Sequence, residues 1–235
     1  MILHIPHSST NIQDYKFKNS TRELERMSDH FTDELYQNKQ ATNIIFELSR
    51  LICDVERFAD DAQESMSQFG MGVCYTKDTE GEKLRDFTQK EREEILQNYY
   101  YPHHKRLELA VDKELKENGS ALIIDCHSFP EEAYHFNSDF GKKRPDICIG
   151  TDAFHSPKEL VKKIEKYFSA KGYKTSVDNP YSGTMVPLKH YKKDANVHSI
   201  MIEINRKLYM DDSYSKNSSF EQLKEEIRVL LNSLE

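Results

Sequence analysis

The 235-residue sequence predicts an α/β domain with a mostly parallel or mixed central sheet. Three observations carry that prediction. Residues 121–124 (ALII) are apolar without a break and end at Asp125-Cys126-His127-Ser128, as a strand buried on both faces does. Two other strand-like segments end alike: residues 1–5 run into Pro6-His7-Ser8-Ser9-Thr10, and residues 199–202 into Glu203-Ile204-Asn205-Arg206. Between such runs lie stretches with helical spacing, the alternation that produces crossover units.

Each element has its own local reason. Residues 1–5 form a strand that Pro6 ends by removing a donor and fixing φ. Residues 21–40 read as one helix, capped by Ser20 or Thr21, with Leu24, Met27, Phe31 and Leu35 at helical spacing. Asp29 and Asp33 would then share a face one turn apart. Residues 43–48 and 50–55 read as two short strands, or as one strand with an abrupt turn at Ser49, and Gly70, Gly72 and Gly81 mark 69–83 as a long loop or small hairpin near the site. Residues 87–118 form a long helix, kinked or broken near Pro102, with Gly119 as its C-cap. Further strands are expected at 145–150, 173–177 and 200–204. A helix capped by Ser156 runs to about Lys171, and an amphipathic helix at 220–234 closes the fold. No repeat or linker divides residues 1–235, which are expected to form a single domain.

Composition limits the function. A net charge of -7 argues against a nucleic-acid or anionic-membrane partner. The four cysteines are widely spaced, and Cys53, Cys126 and Cys148 stand in apolar text, as buried free thiols of a cytosolic protein do. With no leader-like N-terminus and no long apolar run, a soluble, cytoplasmic protein is expected.

The strand ends carry the candidate chemistry. A histidine beside small polar residues is often only a hydrogen-bonding structural group. His7 and His127 at equivalent strand ends, with acids elsewhere, fit the two-histidine, one-carboxylate set that leaves zinc an open position. Glu203, at the end of an apolar strand, is either an ion-pair partner of Arg206 or Lys207 or a general base. Asn205 and Arg206 follow and suit a substrate carboxylate. Arg50 and Arg57 bracket LICDVERF as partners of Asp54 and Glu56 or as anion receptors. Cys126 and His127 are neighbours on a strand and point to opposite faces, which places them badly as a nucleophile–base pair.

These residues sit in ordered motifs: HIPHSST at 4–10, SDHFTDELY at 28–36, SRLICDVERF at 49–58, YYPHHKRL at 100–107, LIIDCHS at 122–128, DICIG at 146–150, NPYSGT at 179–184 and IEINRKLYMD at 202–211. Together they resemble the N-formylglutamate amidohydrolase family of zinc hydrolases. The resemblance implies a three-layer α/β/α, zinc-exopeptidase-type fold and one Zn2+ per chain, held by His7, Asp29 and His127, with Asp33 as the substitute acid. It further implies Glu203 as general base and Arg57 in transition-state support. Arg50, Arg206, Asn205, His104 and Ser128 would face an acidic N-acyl amino acid. Asp54-Val55-Glu56-Arg57 departs from the Asp-Leu-Asn-Arg type expected there, which leaves the acyl group and amino acid open. Two alternatives stand beside N-formylglutamate hydrolysis: a zinc amidase for another acylated amino acid or a cell-wall peptide, and a non-catalytic protein that binds an acidic metabolite.

Overall fold

The computed structural model describes residues 1–234. They divide into two compact units, the first comprising Met1–Ile5, Phe31–Ile44 and residues 107–234, the second Pro6–His30 and Ile45–Arg106. Among the described residues no helix is long and apolar enough to cross a membrane.

The first unit is a six-stranded mixed sheet flanked by helices, with strands β1 (Ile2–Ile5), β2 (Thr42–Ile45), β3 (Ala121–Phe129), β4 (Ile147–Gly150), β5 (Thr175–Val177) and β6 (Val197–Asn205). Their order is β2-β1-β3-β6-β4-β5. β1 and β6 flank β3 in parallel, while β4 runs antiparallel to β6 and parallel to β5. The expected α/β sheet is therefore present, and it is mixed. β3 and β6 are central, so both faces are covered and their residues, polar ones included, are buried almost throughout. Both extend further than their apolar runs suggest, because the ladder pairs Ala121 with Val197 through to Phe129 with Asn205. His127 and Glu203 thus lie within strands, near their carboxyl ends. Ile2, Ile123, Val197, Leu107 and Val111 share one apolar cluster of this unit. Helices α5 (Lys158–Ala170) and α6 (Phe220–Leu234) each bury one stripe: Ile164 and Phe168, and Phe220, Leu223, Ile227, Leu230 and Leu231. Ser156 does not cap α5: its Oγ donates to the Ser199 carbonyl at 2.6 Å, and Pro157 occupies the cap position.

The second unit surrounds a cluster of Phe46, Leu48, Ile52, Cys53, Val55, Val73, Ile95 and Tyr100. Residues 50–55 form turns here, not the expected strand. All four cysteines are buried free thiols.

Two further expectations need correction. The single helix over 21–40 is two: α1 (Ser20–Met27) and α2 (Thr32–Leu35). Ser28 is extended and Phe31 adopts a left-handed φ of 64°, while the Asp29 amide leaves helical pairing to bond the His7 carbonyl at 2.9 Å. Asp29 and Asp33 therefore share no helix face. The helix at 87–118 is not broken at Pro102. It runs as α3 (Gln89–Ile95), a π-turn (Leu96–Tyr100) and α4 (Tyr101–Asn118). The wider turn just before the proline accommodates its missing N–H and its ring without ending the helix. A capping box between Thr88 and Glu91 fixes the start, and Gly119, at φ 76°, ends it.

Candidate active site

In the second unit the polar centre is Asp54, fully buried at the end of the ICDV turn. Its Oδ1 accepts from the Glu56 amide at 3.1 Å and bonds His7 Nε2 at 2.8 Å. Its Oδ2 accepts from Arg50 Nη2 at 2.7 Å and from the Tyr75 hydroxyl at 2.9 Å, and Arg57 Nε lies 3.6 Å away. Burial alone would raise the Asp54 pKa, but Arg50, His7 and Arg57 outweigh it and hold the carboxyl well below its ordinary value. An ionised carboxylate only accepts, so His7 Nε2 carries the proton in that bond. Burial and the Arg50 charge lower the His7 pKa, which keeps the ring neutral and leaves the lone pair on Nδ1. Nδ1 faces two carboxylates, Asp29 at 3.8 Å and Glu56 at 3.9 Å. An imidazole lone pair beside two carboxylates is a donor set suited to a divalent cation.

The first unit repeats the device. Asp125, on β3, bonds His4 Nδ1 at 2.7 Å and His127 Nε2 at 3.2 Å through Oδ1, and its Oδ2 accepts from the Met185 amide at 2.9 Å. Despite burial, His127 and His4 hold its pKa well below the ordinary carboxylate value. By the same logic His127 donates from Nε2, and its Nδ1 bears the lone pair when the ring is neutral. Parallel register places His127 beside Glu203 on β6, and antiparallel register places Cys148 on Glu203's other side. Neighbours in register project to one face, so His127, Glu203 and Cys148 form a row across three strands. The Tyr36 hydroxyl donates to the Ile202 carbonyl at 2.7 Å, pinning β6 just before Glu203.

The other predicted residues divide by what engages them. Arg206, on the short turn after β6, donates from Nε to Ser128 Oγ at 3.2 Å. Asn205 is committed to the backbone: it donates to the Pro145 carbonyl and accepts from the Lys207 amide, capping that turn. His104 bonds the Val55 carbonyl at 2.8 Å and lies on the Tyr100 ring. Arg50 is the partner of Asp54 in the ion pair. Asp54 and Asp125 as the groups that orient His7 and His127, and Tyr75, were not assigned from sequence. The available signal was a lone aspartate inside apolar text, ICDV and IIDC.

The model of one protein family, N-formylglutamate amidohydrolase, matches residues 1–210. An "N-formylglutamate deformylase" of Pseudomonas putida is 23% identical over 227 residues, 91% of this chain and 82% of that protein. A solved N-formylglutamate amidohydrolase from Ralstonia eutropha JMP134 superposes with a TM-score of 0.89 at 22% identity, covering 99% of this chain and 91% of that one. A gene product of Agrobacterium tumefaciens gives 0.65 at 18%, over 100% and 90%.

Proposed function

Since this chain belongs to the N-formylglutamate amidohydrolase family, we propose that it hydrolyses the amide bond of N-formylglutamate or a similarly acidic N-acyl amino acid with the help of one zinc ion. One observation supports the metal above all: both candidate histidines are tied through Nε2 to a buried, ionised aspartate, so each keeps Nδ1 as the donor. Carboxylate-held imidazoles are the usual outer support of zinc ligands. His7, Asp29 and His127 would hold the ion. Glu56 competes with Asp29, since both carboxylates approach His7 Nδ1 to within 0.1 Å of each other (3.9 − 3.8 Å). Zinc, when bound, polarises an acyl carbonyl and acidifies water.

The remaining work belongs to the chain. The Glu203 carboxylate takes a proton from the attacking water and returns it to the nitrogen of the leaving amine. Arg57 supports the oxyanion as the carbonyl becomes tetrahedral. Arg206 selects for a substrate carboxylate, resting on Ser128 and carried on a turn that Asn205 caps, while Arg50 stays paired with Asp54. His104 stands on the substrate side, its ring fixed by the Val55 carbonyl.

Metal content by elemental mass spectrometry, beside formate release from N-formyl-L-glutamate, tests this reading. The expected result is about one zinc per chain, lost in His7→Ala and His127→Ala with the fold intact, and turnover only when zinc is present. Protein that takes up no zinc, or that binds the amino acid without turnover at any metal loading, would overturn it.

A further inference from the structure

Residues 179–184 (NPYSGT) form a motif that the mechanism above does not use. The chain there is fastened to the end of β4 at several points. The Asp178 amide bonds the Ile149 carbonyl at 2.9 Å, and Thr151 donates to Asp178 from both its amide and its hydroxyl at 2.7 Å. The Gly183 amide bonds the Thr151 carbonyl at 3.2 Å, and the Cys148 thiol donates to the Tyr181 carbonyl at 3.3 Å. Cys148 is the register partner of Glu203, so the segment lies against the strand beside the candidate base.

Tyr181 is the segment's one large side chain, and it is half-buried. Its ring centroid lies 5.6 Å from that of Phe129, the last residue of β3. The Arg144 guanidinium sits 5.4 Å from the Tyr181 centroid and 5.6 Å from that of Phe129. Arg144 is itself clamped, with Nε and Nη2 on the two Asp139 oxygens at 2.7 and 3.0 Å and Nη1 on the Pro130 carbonyl at 2.9 Å. The ring is therefore held before any ligand arrives, which lowers the entropy cost of using it in binding. Burial and the Glu203 carboxylate push the phenol pKa up, so the hydroxyl keeps its proton and acts as a donor.

We propose that the Tyr181 hydroxyl is a substrate-binding donor on the Glu203 side of the site, hydrogen-bonding one carboxylate of the acidic N-acyl amino acid together with Arg206. The assignment rests on the reading under Proposed function and deepens it. Phe129 and Arg144 fix the ring, and the hydroxyl supplies selectivity.

Tyr181→Phe removes only the hydroxyl and keeps both ring contacts. The variant and the wild type are compared for kcat and KM on N-formyl-L-glutamate and on its two monoamides, with Tm and zinc content as controls. One hydrogen bond to a charged group is expected to cost about 10- to 100-fold in kcat/KM on N-formylglutamate, mainly through KM, and less than about threefold on one monoamide. Unchanged kinetics, or an equal loss on all three substrates, would overturn the assignment while leaving the amidohydrolase reading intact. A wild type that hydrolyses none of the three overturns both.

Discussion

Asp54 has no exposed surface, yet it bonds His7, Arg50 and Tyr75 at once. Its single charge pairs with Arg50, lies near Arg57, and fixes the tautomer of a histidine, so isosteric replacement strips two roles together. Asp54→Asn should leave Arg50 as a buried charge without its counterion and destabilise the protein by about 3–5 kcal/mol in urea unfolding. It should also weaken zinc binding by about 10- to 100-fold in a chelator competition. A marginal effect on both would remove Asp54 as the orienting group. His7 adds a pH dependence of definite sign. Burial and Arg50 lower its pKa below the ordinary 6.5, against the opposing pull of Asp54 and Glu56. The unfolded chain then binds that proton more readily than the folded one. This contribution to stability is full above pH 6.5 and is lost as pH falls from there toward the folded value. Metal-free protein should unfold at lower urea at about pH 5.5 than at about pH 7.5, and His7→Gln should flatten that slope. At Glu203 the prediction is kinetic: Glu203→Gln should lower kcat by about 100-fold or more with zinc content unchanged. A loss under about tenfold sinks its role as base.

At the scale of elements, what was legible in the sequence was whatever burial writes into it. β1, β3 and β6 show as apolar runs because both faces of a central strand avoid water, and the residues at their ends could be picked out as candidates for that reason. What could not be read depended on groups brought together by folding. The break at residues 28–31 follows from an amide that bonds a carbonyl 22 residues earlier (29 − 7), and helical spacing carries no trace of that competition. The same holds for residues 50–55, whose apolar run suggests a strand although its side chains pack in a core of turns. The Asp54–His7 and Asp125–His4 pairs likewise join distant residues that one sequence does not connect. Gly150 is a case where the reason is visible only in three dimensions. A Cβ there would stand 2.5 Å from the Gly183 carbonyl oxygen and collide with the Met201 side chain. Backbone on the far side cannot retreat without loosening the NPYSGT segment. Gly150→Ala should therefore cost about 1–3 kcal/mol in thermal unfolding, and substrate affinity should fall with it if Tyr181 is displaced.

For the molecule as a whole, a net charge of -7 sets the background against which an anionic substrate must be captured. Under the proposed function, selectivity would come from local cations such as Arg57 and Arg206 and not from the overall field. The proposed metal acts at this scale as well. The proposed ligands come from positions as distant as His7 and His127, so an unfolded chain would have no preformed site and binding energy would become folding energy. Free zinc at about a hundredfold excess over Kd should stabilise the protein by about 2.7 kcal/mol, roughly 5–10 °C in Tm for a chain of this length. A chelator should remove that increment, and scanning calorimetry with and without it measures the difference. His7→Ala and His127→Ala should each abolish the chelator-sensitive shift, because either loss leaves an incomplete donor set. Asp29→Asn and Glu56→Gln then separate the two carboxylates, since only the true ligand should abolish the shift when neutralised. A shift that survived in both histidine variants would assign the metal to other residues and remove the basis for routing amide hydrolysis through these strand ends.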